Sequence, residues 1–320
     1  MNTITQALPF PNVEPDALLA LVRAVRETGY HFTTVTPATH ARVNARPENA
    51  RARSLRDVLG WSRPFAPDLL PPAVSSALKQ GGALVPHGND LCATVRLSSL
   101  DGGLFLHSAY PPSAADAVFF GPDTLRFVDA VLDHLQARTA PVRRAADIGC
   151  GSGAAGICIA KRVPDAEVAL VDINPAALRA AEVNARSAGA GNVSLHQSDM
   201  LRAVKGRFDL IVSNPPFMID RSERAYRHGG GPLGAGLSLQ VIDAACERLS
   251  PGGSLVLFTG SAIVDGTDPF REAAGALCAK AGLTWTYREF DPDEYGEELG
   301  DPAYGNVERI ALVVLTATRA

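Results

Sequence analysis

The 320-residue chain lacks any apolar run long enough to cross a bilayer, and no basic segment followed by an apolar stretch opens it. Its longest clean apolar runs, such as residues 310–315, fall far short of the roughly 20 residues that a membrane-spanning helix needs. The sequence therefore predicts neither a membrane span nor a signal peptide. We expect a cytoplasmic protein.

Cysteine is also scarce. The five cysteines are odd in number and scattered, at Cys92, Cys150, Cys158, Cys246 and Cys278. Their spacing is not that of a zinc site, so we expect no metal. An irregular set of this kind fits a reducing compartment and argues against a disulfide framework.

A strong excess of positive charge is missing as well. The 30 Lys and Arg residues face 34 Asp and Glu residues, for a net charge of −4. Residues 1–115 hold 10 basic and 8 acidic residues, whereas residues 116–320 hold 20 and 26. This balance does not favour a protein that grips long nucleic acid. A short or structured RNA substrate stays open, because a local basic patch would suffice.

The length predicts two domains, at about 100–200 residues each, and we place them at residues 1–115 and 116–320. In the first, the pattern predicts helices over residues 16–28, 51–60 and 71–80, then strands over 83–86, 91–97 and 103–107. Helices followed by a small hairpin fit a winged-helix-like module. A generic α+β cap is the other interpretation.

In the second domain, apolar runs of strand type alternate with helical ones. A helix over 124–138 comes first; strands at 144–148, 167–171, 193–196, 208–212 and 253–259 then alternate with helices at 155–162, 175–188, 238–249 and 269–281. This alternation predicts an α/β fold with a parallel, Rossmann-like sheet. Two last strands, at 284–289 and 309–316, predict an antiparallel hairpin that closes the sheet.

Three glycines, Gly149, Gly151 and Gly153, follow the first strand of this domain. They let the backbone turn sharply and let a ligand approach without a Cβ in the way. The pattern DxGxGxG is neither the dinucleotide fingerprint nor a phosphate-binding P-loop. Asp147, at the strand tip, suits a cationic or amine-bearing ligand better than a phosphate. A tight turn without a ligand is the alternative.

Two more acidic residues follow the next two strands. Asp172, 25 residues after Asp147, can accept both hydroxyls of a ribose, or it caps the helix that begins near Asn174. Asp199 can accept a hydrogen bond from an adenine amino group while Met200 packs on the ring. The alternative for Asp199 is an ordinary loop position.

The sequence NPPF at residues 214–217 ends an apolar strand. Proline cannot continue a central strand, so Asn214 lies at the carboxyl end, where open α/β sheets bind ligands. The Asn214 side-chain oxygen and a proline carbonyl can accept both hydrogens of a planar NH2 group, because Pro215 and Pro216 have no N–H. That favours a pyramidal nitrogen with its lone pair available, while Phe217 offers a ring face to a flat substrate. A simple turn is the alternative.

Together these elements resemble class I S-adenosylmethionine-dependent methyltransferases over residues 123–320. The resemblance implies that the glycine loop contacts the methionine part of S-adenosylmethionine, Asp172 the ribose and Asp199 the adenine. The implied cofactor-binding residues are Asp147, Gly149, Cys150, Gly151, Gly153, Asp172, Ile173, Asp199, Met200 and Asn214.

The NPPF motif is similar to that of enzymes that methylate planar nitrogens of adenine, of guanine in ribosomal RNA, or of release-factor glutamine. The glycine-rich residues 226–237 resemble the glutamine-modifying group, and so do residues 120–124, although Gly121 and Leu125 replace an arginine and a glutamate of its pattern. The resemblance implies an N-methyltransferase with a release-factor-like protein as its first expected substrate. An RNA base is the alternative, and a non-catalytic nucleoside-binding module a further one.

We expect Arg227, His228 and Phe120 to line the substrate entrance. A general base at His228 is not required, because the proton leaves after the new bond forms, so that catalysis depends on alignment. The acidic residues 293–299 have no evident chemical role, and we expect them to form a solvated loop.

Overall fold

The computed structural model describes residues 8–222, 224 and 226–320. Its N-terminal part consists of α1 (Pro15–Arg26), α2 (Pro37–Asn44), α3 (Leu55–Leu59), α4 (Pro72–Gln80), β1 (Leu84–His87), β2 (Asp90–Ala93), β3 (Val95–Leu100) and β4 (Gly103–Ser108). The strands form two separate antiparallel pairs, β1–β2 and β3–β4. The predicted single strand 91–97 is therefore corrected: the chain bends at Thr94, and the strands on either side join different sheets.

The C-terminal part consists of α5 (Pro122–Ala137), β5 (Arg144–Ile148), α6 (Ala154–Arg162), β6 (Glu167–Asp172), α7 (Pro175–Ala188), β7 (Val193–Gln197), β8 (Phe208–Ser213), α8 (Gly236–Arg248), β9 (Leu249–Ile263), α9 (Pro269–Lys280), β10 (Leu283–Asp291) and β11 (Arg309–Arg319). The seven strands form one sheet in the order β10-β11-β9-β8-β5-β6-β7. Five strands, from β9 to β7 in this order, are mutually parallel, and β11 runs antiparallel to β9 and β10. The predicted Rossmann-like sheet with an antiparallel last strand is confirmed.

The five inner strands of the sheet, β11, β9, β8, β5 and β6, are buried on both faces, which is why they read as nearly continuous apolar runs. The edge strands β10 and β7 are only partly buried. Successive side chains point to opposite faces. In β5, Ala145 packs in the core that α5 and α6 cover, and Ala146 in the core that α8 and α9 cover. The carboxyl edge of the sheet is therefore flanked by helices on both sides.

Helix caps set the positions of two helices next to that edge. Pro122 occupies the first turn of α5, and the Gly121 N–H donates to the Thr124 hydroxyl oxygen at 3.2 Å. The Asn174 side-chain oxygen accepts from the Ala176 N–H at 2.9 Å and caps α7. Both helices thus start at defined residues beside the ends of the strands.

A buried asparagine joins the two parts of the chain. Asn184 in α7 is 1% exposed; its oxygen accepts from the Leu106 N–H at 2.7 Å, and its nitrogen donates to the carbonyls of Leu106 at 3.0 Å and Ser152 at 2.9 Å. Strand β4 is thereby tied to the glycine loop. Alanines of α7 also share a core with α1 and α4. The boundary at residue 115 and the winged-helix-like topology stay predictions.

Within the described ranges, every helix is too short or too polar to reach across a lipid bilayer.

Candidate active site

The strands β5, β6, β7 and β8 end side by side. Ile148 lies opposite both Val171 and Ser213, and Asp172 lies opposite Gln197. The buried Ser213 hydroxyl donates to the Ile148 carbonyl at 2.7 Å. The glycine loop and the NPPF segment therefore begin from adjacent points of the edge where open α/β sheets bind ligands.

A cavity of about 470 Å³ opens at this edge. Most of the predicted site residues lie on its wall: Asp147, Gly149, Cys150, Gly151, Asp172, Ile173, Asp199, Met200, Asn214, Pro215, Pro216, Phe217 and Arg227. Residues of the N-terminal part, among them Pro37 and Tyr110, complete the wall. The structure thus brings the two sequence motifs together around one space.

Three predicted residues lie off the cavity wall. Gly153 has a φ of +79°, and a Cβ there would come within 3.1 Å of Ala181, so it permits close packing against α7. Phe120 is 1% exposed and stacks on His107, and its neighbour Phe119 lines the cavity instead. The His228 Nδ1 accepts from the Asp220 N–H at 3.3 Å.

The glycine loop is held by hydrogen bonds from its own backbone. The N–H groups of Gly149 and Cys150 both donate to the Val171 carbonyl, at 2.8 and 3.0 Å. Gly149 and Gly151 have φ values of +67° and +54°, and a Cβ at either would meet nothing within 4 Å. What glycine supplies at these two positions is the left-handed backbone conformation rather than space.

Asp147 is 2% exposed, and one of its carboxylate oxygens accepts from the Gly156 N–H at 2.9 Å. Burial raises the pKa of Asp147 to about 7, and the nearby charge of Asp172 adds to the shift. A positively charged ligand in the cavity would favour the ionised form of this group.

Asp172 joins the glycine loop to the start of α7. One carboxylate oxygen accepts from the Gly151 N–H and the other from the Asn174 N–H, both at 2.9 Å. Burial raises the pKa of Asp172, and these two N–H groups oppose the shift. The carboxylate therefore holds the glycine loop and the start of α7 together, and it also lies on the cavity wall.

The predicted adenine end of the cavity is more open. Ile173 is 64% exposed, and among the described residues it is the large apolar side chain that is left exposed to solvent. Asp199 is exposed and pairs with Arg202. Met200 has a left-handed backbone with φ of +48°. An exposed isoleucine on a cavity wall offers an apolar surface to a flat ring.

Asn214 is the most informative residue of the site. Its amide nitrogen donates to Asp123 Oδ2 at 3.3 Å. Its amide oxygen is buried and has no hydrogen-bond partner among the residues that the structure describes. A buried acceptor left unpaired costs about 1–3 kcal/mol. The oxygen is thus available to a ligand that donates hydrogen bonds.

Sequence reasoning missed the role of Asp123. It is buried at the start of α5, and burial raises its pKa, while the hydrogen bond from Asn214 opposes the shift. Local sequence patterns cannot predict this contact, because 91 residues separate Asp123 from Asn214.

Phe217 forms part of the wall and is 8% exposed. Its ring packs on Gly260, where a Cβ would come within 2.3 Å of the ring carbon Cδ2. The Tyr295 ring meets it edge-on, with centroids 5.6 Å apart. The ring is thus fixed from two sides.

The acidic residues 293–299 do not form the solvated loop that we expected. Glu294 and Tyr295 lie on the cavity wall. Glu294 pairs with Arg126 at 2.7 Å, and Glu298 pairs with Arg227 at 2.5 Å. These two ion pairs hold the acidic residues against the site. Their arginines lie far away in sequence, one on α5 and the other in the loop after the NPPF segment.

Across the described part of the chain, no group of three or more His, Cys, Asp or Glu residues could hold a metal ion. The five cysteines are free.

Residues 128–264 match the family model of the methyltransferase small domain. The release factor glutamine methyltransferase of Bordetella pertussis is 39% identical over 175 residues, which cover 52% of this chain and 63% of the relative. The ribosomal RNA small subunit methyltransferase C of Hahella chejuensis is 39% identical over 117 residues, which cover 36% of this chain and 30% of the relative. A solved S-adenosylmethionine-dependent methyltransferase of Agrobacterium tumefaciens is 19% identical, with a TM-score of 0.48 and coverage of 71% of this chain and 70% of that one.

The chain spans less than two thirds of the length of the curated relatives cited here. The matched region contains the sheet strands β5 to β9 and both motifs of the cavity wall. Residues 128–264 thus match the methyltransferase small domain, in a chain that resembles the release factor glutamine methyltransferases over about half of its length.

Proposed function

We propose that this chain transfers a methyl group from S-adenosylmethionine to the planar NH2 of a carboxamide, and that the first substrate is a glutamine side chain of a release-factor-like protein. The observation that carries the proposal is Asn214, a residue of the cavity wall whose buried amide oxygen has no hydrogen-bond partner among the described residues. The names of the matched relatives, such as that of Bordetella pertussis, support the choice of glutamine.

The residues present fit S-adenosylmethionine, which supplies an electrophilic methyl group on a positively charged sulfur. Asp147 and the glycine loop would hold its amino acid part, and Asp172 its ribose. Ile173, Asp199 and Met200 would hold its adenine. The acidic residues at this end of the cavity suit a ligand that carries positive charge, and the exposed Ile173 suits an apolar ring face.

For the transfer itself, this chain supplies alignment. The Asn214 oxygen would accept a hydrogen from the substrate NH2, and Pro215 and Pro216, which have no N–H, leave a carbonyl acceptor free nearby. Asp123 holds the Asn214 nitrogen and so keeps the oxygen turned to the substrate. Two acceptors on one NH2 group favour a pyramidal nitrogen. Alignment of this kind can lower a barrier by roughly 7–11 kcal/mol at best.

The charges around the cavity favour a protein substrate over RNA. Arg224 and Arg227 lie on the wall, but Arg224 is paired with Asp220 at 2.7 Å and Arg227 with Glu298 at 2.5 Å. Arginines that are already paired with carboxylates are poorly placed to neutralise phosphates. Strong binding of RNA would depend on such neutralisation and would weaken steeply with salt.

The test is transfer of a tritiated methyl group into a cell extract, followed by digestion of the labelled fraction with protease or ribonuclease. We expect protease to release the label. Release by ribonuclease would favour an RNA base instead. Absence of transfer, with S-adenosylmethionine still bound, would favour a non-catalytic nucleoside-binding module.

Asn214→Ala is the matched variant for this test. We expect turnover to fall at least a hundredfold while cofactor binding is retained, because the residue acts on the acceptor nitrogen. Unchanged turnover would contradict the assignment of Asn214.

The free cysteines fit a reducing compartment, and we propose that the protein works in the cytoplasm.

A further inference from the structure

Residues 291–301, here called the acidic segment, begin at the last residue of β10 and continue into its connection to β11. Two of its residues, Glu294 and Tyr295, reach the wall of the cavity that holds Asn214. The segment is thus part of the site, although it follows the methyltransferase small domain in sequence.

Ion pairs fix the acidic segment to two other elements. Glu294 pairs with Arg126 of α5 at 2.7 Å, and its N–H donates to the Ile310 carbonyl at 3.2 Å. On the other side of Tyr295, Glu298 pairs with Arg227 at 2.5 Å. Tyr295 is therefore held between two anchored points rather than on a free loop.

The Tyr295 ring stands edge-on to Phe217, with centroids 5.6 Å apart. No hydrogen-bond partner of its hydroxyl is found in residues 8–222, 224 and 226–320. Burial, together with the nearby charges of Asp123 and Glu294, raises the pKa of Tyr295 well above its ordinary value. The phenol is therefore neutral at physiological pH and can donate a hydrogen bond.

A carboxamide needs two kinds of partner, since its NH2 donates and its carbonyl accepts. Asn214 provides an acceptor, but its own amide nitrogen is engaged by Asp123. Arg224 and Arg227 are engaged by Asp220 and Glu298. Tyr295 packs directly on Phe217 on this wall, and its hydroxyl has no hydrogen-bond partner among the described residues.

Building on the function proposed above, we propose that the Tyr295 hydroxyl binds the carbonyl oxygen of the substrate carboxamide and so fixes the plane of the amide against Asn214. A hydrogen bond to the carbonyl draws electron density away from the nitrogen. Tyr295 therefore contributes to substrate binding and not to activation of the nucleophile. Its loss affects KM rather than kcat.

Tyr295→Phe tests this role, because phenylalanine keeps the ring contact with Phe217 and removes only the hydroxyl. The matched control is Tyr287→Phe in β10, whose hydroxyl donates to Asp268 at 2.6 Å away from this cavity. A recombinant bacterial release factor serves as methyl acceptor in steady-state kinetics, and calorimetry gives the Kd of S-adenosylmethionine for each variant.

We expect Tyr295→Phe to raise KM for the release factor about tenfold, the usual scale for one lost hydrogen bond in a closed site. We expect kcat and the cofactor Kd to stay within about twofold, and Tyr287→Phe to match the wild type. An unchanged KM in Tyr295→Phe, or a cofactor Kd that rises in parallel, would overturn the role of Tyr295 and leave the proposed function standing. Absence of transfer by the wild-type protein would overturn both.

Discussion

The carboxylate of Asp123 receives a hydrogen bond from the amide nitrogen of Asn214 at 3.3 Å. A carboxylate only accepts, so it can hold the nitrogen end of the amide but not the oxygen end. The orientation of Asn214, with its oxygen left for a ligand, is thereby determined by a residue on a different element, the first turn of α5.

Asp123→Ala should release this constraint. Without the acceptor, the Asn214 amide can rotate and present its nitrogen to the cavity, so we expect kcat to fall tenfold to a hundredfold with KM and the cofactor Kd within about threefold. The exposed Asp129 on the same helix gives the control variant Asp129→Ala. Equal kcat in the two variants would show that Asp123 does not orient Asn214.

Gly260→Ala should displace the NPPF segment without unfolding the protein. The added Cβ would lie 2.3 Å from the Phe217 ring, and that ring is buried and cannot swing into solvent. We expect at least a tenfold loss of kcat/KM with the cofactor Kd nearly unchanged. Gly191→Ala, where a Cβ meets nothing within 4 Å, should behave as the wild type. A fully active Gly260→Ala protein would mean that the position of Phe217 is not critical.

Ile173→Ala should weaken cofactor binding and leave the fold intact. The side chain is 64% exposed, so its removal uncovers little core. Loss of an apolar contact with a ring is worth roughly 1–2 kcal/mol, which corresponds to a five- to thirtyfold rise in Kd for S-adenosylmethionine by calorimetry. We expect the melting temperature without the cofactor to stay within about 1 °C. A Kd equal to that of the wild type would place the adenine elsewhere.

Local sequence patterns predicted the sheet and the two motifs well. The strand β5 and the helix α7 have the predicted bounds, Arg144–Ile148 and Pro175–Ala188, because apolar runs and proline or glycine boundaries are local signals. The carboxyl ends of parallel strands meet at one edge, so the placement of Asp147, Asp172 and Asn214 around one cavity followed from the order of the strands.

Contacts between segments that are distant in the chain could not be predicted from local sequence patterns. The pair Asp123–Asn214 and the packing of Tyr295 on Phe217 join residues 91 and 78 positions apart. Whether Phe119 or Phe120 faces the cavity depends on the register of an irregular segment, which has no periodic pattern. Helix α2 was missed because it is short and buries only His40, so its sequence shows little amphipathic alternation.

Asn184→Ala should destabilise the contact between the two parts of the chain. The substitution leaves the Leu106 N–H and the carbonyls of Leu106 and Ser152 without the partner they have now. At about 1–3 kcal/mol for each buried unpaired group that water does not reach, we expect the free energy of unfolding to fall by at least about 2 kcal/mol. Glu182→Ala, on the same helix, should change it by less than about 0.5 kcal/mol. If urea denaturation gave Asn184→Ala and the wild type equal free energies of unfolding, Asn184 would not be what ties the two parts of the chain together.

Asp147→Asn should reveal a stability difference that depends on pH. Burial raises the pKa of Asp147 from 3.8 to about 7 in the folded protein, so the folded state binds the proton more tightly than the unfolded state. The stability that this proton binding contributes is fully present below pH 3.8 and is lost as pH rises through 7. Asparagine resembles the protonated acid and can still accept from the Gly156 N–H. The variant should therefore match the wild type near pH 4 and exceed its free energy of unfolding by a few kcal/mol at pH 8, on the order set by the pKa shift. Urea denaturation of both proteins at several pH values without cofactor measures this, and a difference that stays constant with pH would mean that Asp147 is not the group that titrates.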